Sequence, residues 1–196
     1  MIATTARAAS ARHLRLRAFA HAALVAAAFT LLFCWVFAGP VAGGSYLSES
    51  DLYDYYLPVF LSSPLVWSGF ELGGMPAFAD PENSTFYLPH LLFARVIGSW
   101  TGFIASAYVL AACFMYAYAY HHTRSVAAAA FSGATYALSE AMLERMAHPS
   151  IVHVLAWLPL LLLAIDRLRW PSRRWTWAAV GGFAAGMTAL AGHPAL

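Results

Sequence analysis

Residues 18–38 read AFAHAALVAAAFTLLFCWVFA. The run holds no Asp, Glu, Lys or Arg, and its length matches the about 20 apolar residues that carry a helix across a bilayer. It decides the fold class. In hydrocarbon every backbone N–H and C=O must find a partner within the structure, and a single segment can do this only as an α-helix. Arg7, Arg12, Arg15 and Arg17 stand just before it. The apolar run exceeds the about 7–15 residues of a secretory h-region, and Pro40 follows at once. An uncleaved signal anchor is therefore expected, despite the small residues Ala38 and Gly39 that a cleaved leader would also carry.

Outward from this run, four further segments approach spanning length, at about residues 98–120, 125–142, 151–165 and 175–191. The segments at 125–142 and 151–165 are short enough to form one tight helical hairpin instead. Composition agrees with a membrane chain: 61% of residues are hydrophobic and 10% charged, against about 45–50% and 25% in soluble domains. So little charge cannot cover a soluble surface. The expected fold is all-α, a polytopic transmembrane helical bundle with an ordered extracytoplasmic loop containing short juxtamembrane helices. It divides into an arginine-rich segment 1–17, a first helix 18–38, a loop 39–97, and four further helices within 98–196.

Charge sets the orientation. Cytoplasmic flanks of spans carry excess Arg and Lys. With the amino terminus in the cytoplasm, only Arg95 and Arg145 of the eleven arginines fall outside. Of the nine acids, only Asp166 then falls inside. The amino-terminal arginines read as topology signals, and no nucleic-acid partner is expected. All basic charge is arginine and alanine is abundant, which points to a GC-rich bacterial genome and a bacterial cytoplasmic (inner) membrane. Cys34 and Cys113 lie in apolar runs and read as small hydrophobes. The sequence stops at Gly192-His193-Pro194-Ala195-Leu196, just after a span. That reads as the amino-terminal part of a longer protein.

The loop is too long for a connector and too rich in Tyr, Phe, Trp and Leu for disorder. Ser48 and Asp51 have capping-box spacing. A helix from Asp51 to about Leu61 would put Asp51, Asp54 and Tyr55 on one face. It would rest Leu52, Tyr56, Val59 and Phe60 on the lipid interface. Residues 86–95 read as a second interfacial helix, with Pro89 in its first turn.

Four stretches carry a family resemblance: Asp51-Leu52-Tyr53-Asp54-Tyr55-Tyr56-Leu57-Pro58, Gly73-Gly74-Met75-Pro76, Phe86-Tyr87-Leu88-Pro89 and Ala191-Gly192-His193-Pro194. His148-Pro149 fits as well. In these the chain resembles the bacterial YfhO-like membrane proteins, of the GT-C class of polyprenyl-phosphate-sugar-dependent glycosyltransferases. The resemblance runs over nearly the whole chain from the first span onward and rests on the order and spacing of the motifs. It implies two juxtamembrane helices in the outer loop and an active-site acid early in it. The donor would be a polyprenyl-phosphate-linked sugar reached from the outer membrane face. The matching acid is Asp51, with Asp54 second. Enzymes of the class have many more spans, so much of the lipid and acceptor site would lie outside this chain.

Inverting sugar transfer needs a base to take the acceptor's proton. It also needs the leaving phosphate's charge balanced, by arginine or by a divalent cation such as Mg or Mn. Asp51 and Asp54, at the membrane surface, are the candidate catalytic acids; a helix-capping role for Asp51 is the competing reading. Tyr55, His90, Arg95, His148 and His193 are candidates for substrate binding, with a local role such as hydrogen bonding a helix end the favoured competing reading for each histidine. His153, within a span, is either functional or bonded to a neighbouring helix. Glu71, Asp80 and Glu82 read as solvated loop acids. Asn83-Ser84-Thr85 matches a glycosylation sequon by chance. A transporter or flippase for a lipid-linked molecule, and a non-catalytic membrane scaffold, are the competing functions.

Overall fold

The computed structural model describes residues 2–39, 52–69 and 73–192, with side chains from Leu16 onward. Among these residues the only β pairing is an antiparallel bridge between Ser68 and Met75; the rest is helix, turn and loop. Helix α1 covers Ile2–Val36. Helix α2 begins as a π-helical turn, Leu52–Tyr56, and continues as Leu57–Leu61. Two 3₁₀ turns follow at Ala77–Ala79 and Pro81–Asn83. Helix α3 runs over Leu88–Leu92 and ends in a π-helical turn, Phe93–Ile97. Then come α4 at Trp100–Thr123 and α5 at Val126–Ala137. Helix α6 is Glu140–Leu143 extended by a 3₁₀ turn, Glu144–Ala147. Helix α7 is Pro149–Leu168 and α8 is Arg174–Ala191.

Among the described residues, three helices are long and apolar enough to span a membrane: Leu16–Val36 of α1, α4 and α7. Helices α5 and α6, bent by 41° at their junction, pass the same test only when taken together, as a broken span or a re-entrant loop. The segment expected at 125–142 is therefore not one straight helix. Helix α8 has 18 residues, yet its polar first turn keeps it out of the set that is apolar enough. The chain is a membrane protein on this pattern. Leu24, Leu31, Trp35, Phe131, Ile165 and Trp175 point outward, as a surface solvated by lipid allows.

Local chemistry sets the helix ends. Ser99 and Ser125 cap α4 and α5 with their hydroxyls, accepting the amides of Gly102 at 3.0 Å and Ala128 at 3.3 Å. A serine oxygen there satisfies an otherwise orphaned amide. Arg124, at φ 56°, turns the chain between the two helices.

Helix α1 lays Phe29, Phe33 and Phe37, spaced by four, against α4. Phe33 and Tyr108 are 5.8 Å apart between ring centroids, and Phe29 and Tyr116 are 6.4 Å apart. His21 Nε2 lies 2.8 Å from the Tyr116 hydroxyl. These pairs make α1 and α4 antiparallel. Helices α4 and α5 meet through Ala111, Ala112, Ala129, Gly133 and Ala137, all buried. A Cβ on Gly133 would sit 2.6 Å from the Ala112 carbonyl oxygen and 2.8 Å from Phe29. Small residues let helix backbones approach this closely, and only glycine permits it here.

The bundle thus has two ends. The loop end carries α2, α3 and the 3₁₀ turns. The arginine end carries Arg17, Arg124, Arg167, Arg169, Arg173 and Arg174. One sequence expectation fails at the loop end. Leu52, Tyr56, Val59 and Phe60 are 2%, 7%, 6% and 4% exposed. They are covered by protein rather than resting on lipid, because Phe60 packs on Trp100 and Phe103 of α4.

Candidate functional site at the loop end

Adjacent tyrosines of α2 build the site. The Tyr55 hydroxyl donates to Asp80 Oδ2 at 2.6 Å. Asp80 Oδ1 accepts the amide of Glu82 at 3.0 Å, which starts the 3₁₀ turn. The Tyr56 hydroxyl reaches Glu82 Oε2 and Ser150 Oγ, both at 3.3 Å. Its ring stands edge-on to His148, with centroids 6.3 Å apart. Pro149 opens α7 without an orphaned amide, which places His148 and Ser150 at the mouth of the bundle. Asp80 and Glu82 are half-buried members of this network. The reading of them as solvated acids is corrected: each carboxylate receives a tyrosine hydroxyl from 25 or 26 residues away.

A second layer lies beneath. The Trp157 indole donates to the Tyr87 hydroxyl at 2.9 Å, and that hydroxyl lies 3.0 Å from His153 Nδ1. The Tyr87 oxygen accepts from Trp157 and shares a hydrogen with His153 Nδ1, the direction set by the imidazole tautomer. Its ring stacks on Phe103 at 4.4 Å. Burial pushes the Tyr87 hydroxyl far above the usual phenol range. His90 sits between Phe60 and Phe103, at 5.5 and 5.3 Å between centroids. Burial pulls its pKa down to about 4, so it is neutral at neutral pH. Neither of its ring nitrogens has a hydrogen-bond partner among the described residues.

The sequence-derived candidates separate into groups. Tyr55 and His148 belong to the tyrosine–carboxylate network. His90 lies in the aromatic layer below it, where an uncharged imidazole offers no positive charge to a phosphate. Asp54 is exposed on α2 and Arg95 is exposed on α3. Asp51 and His193, like Glu71, lie outside the described residues. Asn83 is 2% exposed and donates its amide to the Ala77 carbonyl at 2.9 Å; a buried asparagine is no acceptor for a glycan. Reading the sequence alone missed Tyr56, Tyr87 and Ser150. Tyr56 and Tyr87 lie within the stretches that carry the resemblance, and Ser150 in the first turn after His148-Pro149, but none of these places reports the tertiary partners.

Among the described residues, no three His, Asp or Glu side chains at this end bring their ligand atoms within a cation's reach of one another. The described acids by themselves therefore do not make a Mg or Mn site.

An apolar groove opens beside the buried layer, whose Trp157 forms part of its wall. Leu88, Pro89, Leu92 and Phe93 of α3, Val109 and Leu110 of α4, Trp157, Phe183 and Met187 line about 480 Å³ with almost no polar surface. It starts one residue past Tyr87 and descends between α4, α7 and α8. Together, the two features offer carboxylates and hydroxyls for a polar group and a channel for an apolar chain. Comparison with models of protein families, with curated proteins and with solved structures finds no match to this chain.

Proposed function

We propose that this chain is part of a membrane-embedded glycosyltransferase of the GT-C kind. It moves a sugar from a polyprenyl-phosphate carrier to a cell-envelope acceptor on the outer face of a bacterial cytoplasmic membrane. The observation that carries this reading is that the loop end holds both a tyrosine–carboxylate network and, walled by Trp157 of the layer beneath it, an apolar groove. A lipid-linked sugar has the same two-part character, with a polar head at the interface and an apolar tail in the membrane. The arginine distribution supports an outward-facing loop end.

In this reading Asp51, or Asp54 beside it, takes the proton from the acceptor hydroxyl as its oxygen attacks the anomeric carbon. The bond from that carbon to the phosphate oxygen breaks, and the phosphate leaves with the electron pair. Asp80 and Glu82 act one step back, holding Tyr55 and Tyr56 and so the face of α2 on which Asp54 stands. Ser150 and His148 fix the opposite wall.

The test uses the native protein in its membranes and a labelled polyprenyl-phosphate sugar. Asp51→Asn is expected to abolish transfer at unchanged protein level. Asp80→Asn is expected to lower it about 10-fold, since it weakens a positioning hydrogen bond but leaves the base. Full transfer by Asp51→Asn together with Asp54→Asn would reject the assignment of the base. A wild-type protein that transfers from no donor would reject the enzyme. One observation favours a second reading, a flippase for a lipid-linked molecule: the bent pair of apolar helices α5 and α6, since interrupted helices line many transport paths. That reading requires movement of the labelled lipid between leaflets without sugar transfer.

A further inference from the structure

At the arginine end, α4 and α7 finish side by side. His121 and His122 stand in the last turn of α4, and Asp166 stands in the last turn of α7. His122 Nε2 lies 2.9 Å from Asp166 Oδ2. The ligand atoms of all three side chains fall within 4.8 Å of one another. They line a cleft of about 340 Å³ with Arg169 and Trp170. We propose that His121, His122 and Asp166 form a site for a divalent transition metal of the zinc class, which clasps α4 to α7.

The simpler reading is a hydrogen bond or ion pair between His122 and Asp166. It leaves one atom unexplained. His121 Nδ1 is shielded from solvent and has no hydrogen-bond partner among the described residues. A buried ring nitrogen without a partner is destabilising, and a metal held by that nitrogen would satisfy it. Two imidazoles and one carboxylate, with a fourth position left for water, are a familiar donor set for zinc. Imidazole nitrogen also selects the class, favouring Zn, Cu and Ni over Mg or Ca. The ligand atoms need to draw in by about an ångström for bonds of about 2.0–2.1 Å. Side chains at a helix end, beside an open cleft, can move that far.

Charge acts in both directions. Arg124, Arg167 and Arg169 oppose a cation. The guanidinium of Arg169 is 79% exposed and 4.0 Å from Asp166, so solvent screens it. That of Arg167 is drawn over the Trp177 ring at 5.4 Å. The carbonyl ends of both α4 and α7 converge here, and the negative ends of two helix dipoles favour a cation within the last turn. The Asp166 charge adds to them.

The test uses protein purified in detergent through a histidine-free tag and stripped with EDTA. Titration with ZnCl2 is expected to show one equivalent bound, and His121→Ala and Asp166→Asn each to weaken it by about 10-fold or more. Co²⁺ should give visible ligand-field bands that both variants lose. Binding retained within a few-fold in both variants, or no stoichiometric binding by wild type, would overturn the site. A readout on wild type alone covers variants that fail to fold. Zn²⁺ should protect His121 and His122 from diethyl pyrocarbonate, mapped by mass spectrometry, and unchanged labelling would also sink the proposal.

Discussion

The two ends of the bundle handle polar groups in opposite ways. At the loop end, Tyr56, Tyr87, His90 and His153 are buried, and hydroxyls bridge between elements far apart in sequence. At the arginine end, the polar groups cluster near helix termini, and His122 and Arg169 are exposed. Buried polar groups are costly to leave unpaired, whereas exposed ion pairs contribute little. The loop end should therefore be the stiff, intolerant end, and the arginine end the soft one.

The largest expected effect tests the stiff end. Tyr87→Phe removes the hydroxyl shared by Trp157 and His153 and leaves two buried partners unpaired. It should destabilise the protein by about 3 kcal/mol, read as a lower midpoint of thermal unfolding in detergent. A loss below about 1 kcal/mol would mean that water reaches this layer and that the contrast between the ends is false.

The next effect comes from acid. His90 has a folded pKa of about 4 against 6.5 unfolded. Above pH 6.5 the ring is neutral in both states and its contribution does not change with pH. As pH falls below 6.5, the unfolded chain takes a proton that the folded one refuses, and stability is lost until about pH 4. Between about pH 6.5 and pH 5 the loss should reach roughly 2 kcal/mol. His90→Leu should remove that part of the acid sensitivity. An identical pH profile in the variant would show that His90 titrates in the folded state.

The smallest effect tests the soft end. In metal-free buffer, His122→Ala should cost no more than about 1 kcal/mol, as expected for a partly exposed pair. A cost as large as that of Tyr87→Phe would erase the distinction between the two ends.

Much of this contrast was legible in the sequence, but unevenly. Residues 18–38 announce α1 because an uncharged run of that length has one good use. Pro89 marked the start of α3 in the same local way. The break at Leu138-Ser139 was not foreseen: the polar pair Ser139-Glu140 marks it in the sequence, but the apolar residues on either side of the pair read as one segment. The apolar face of α2 was legible as apolar, but periodicity does not say whether lipid or Trp100 and Phe103 will cover it. For Asp80 and Glu82 the gap is the same. Their partners Tyr55 and Tyr56 arrive through tertiary folding, and no local spacing reports that.

The close approach at Gly133 has a mechanical consequence. With the Ala112 carbonyl against its Cα, no acyl chain can slip between α4 and α5. Arg124 joins the two helices in a tight turn, so the pair should leave the insertion machinery as a single hairpin. In any working cycle that hairpin is a strut. Sliding must be taken up elsewhere, and the groove edged by Phe183 and Met187 of α8 is the seam left open for it.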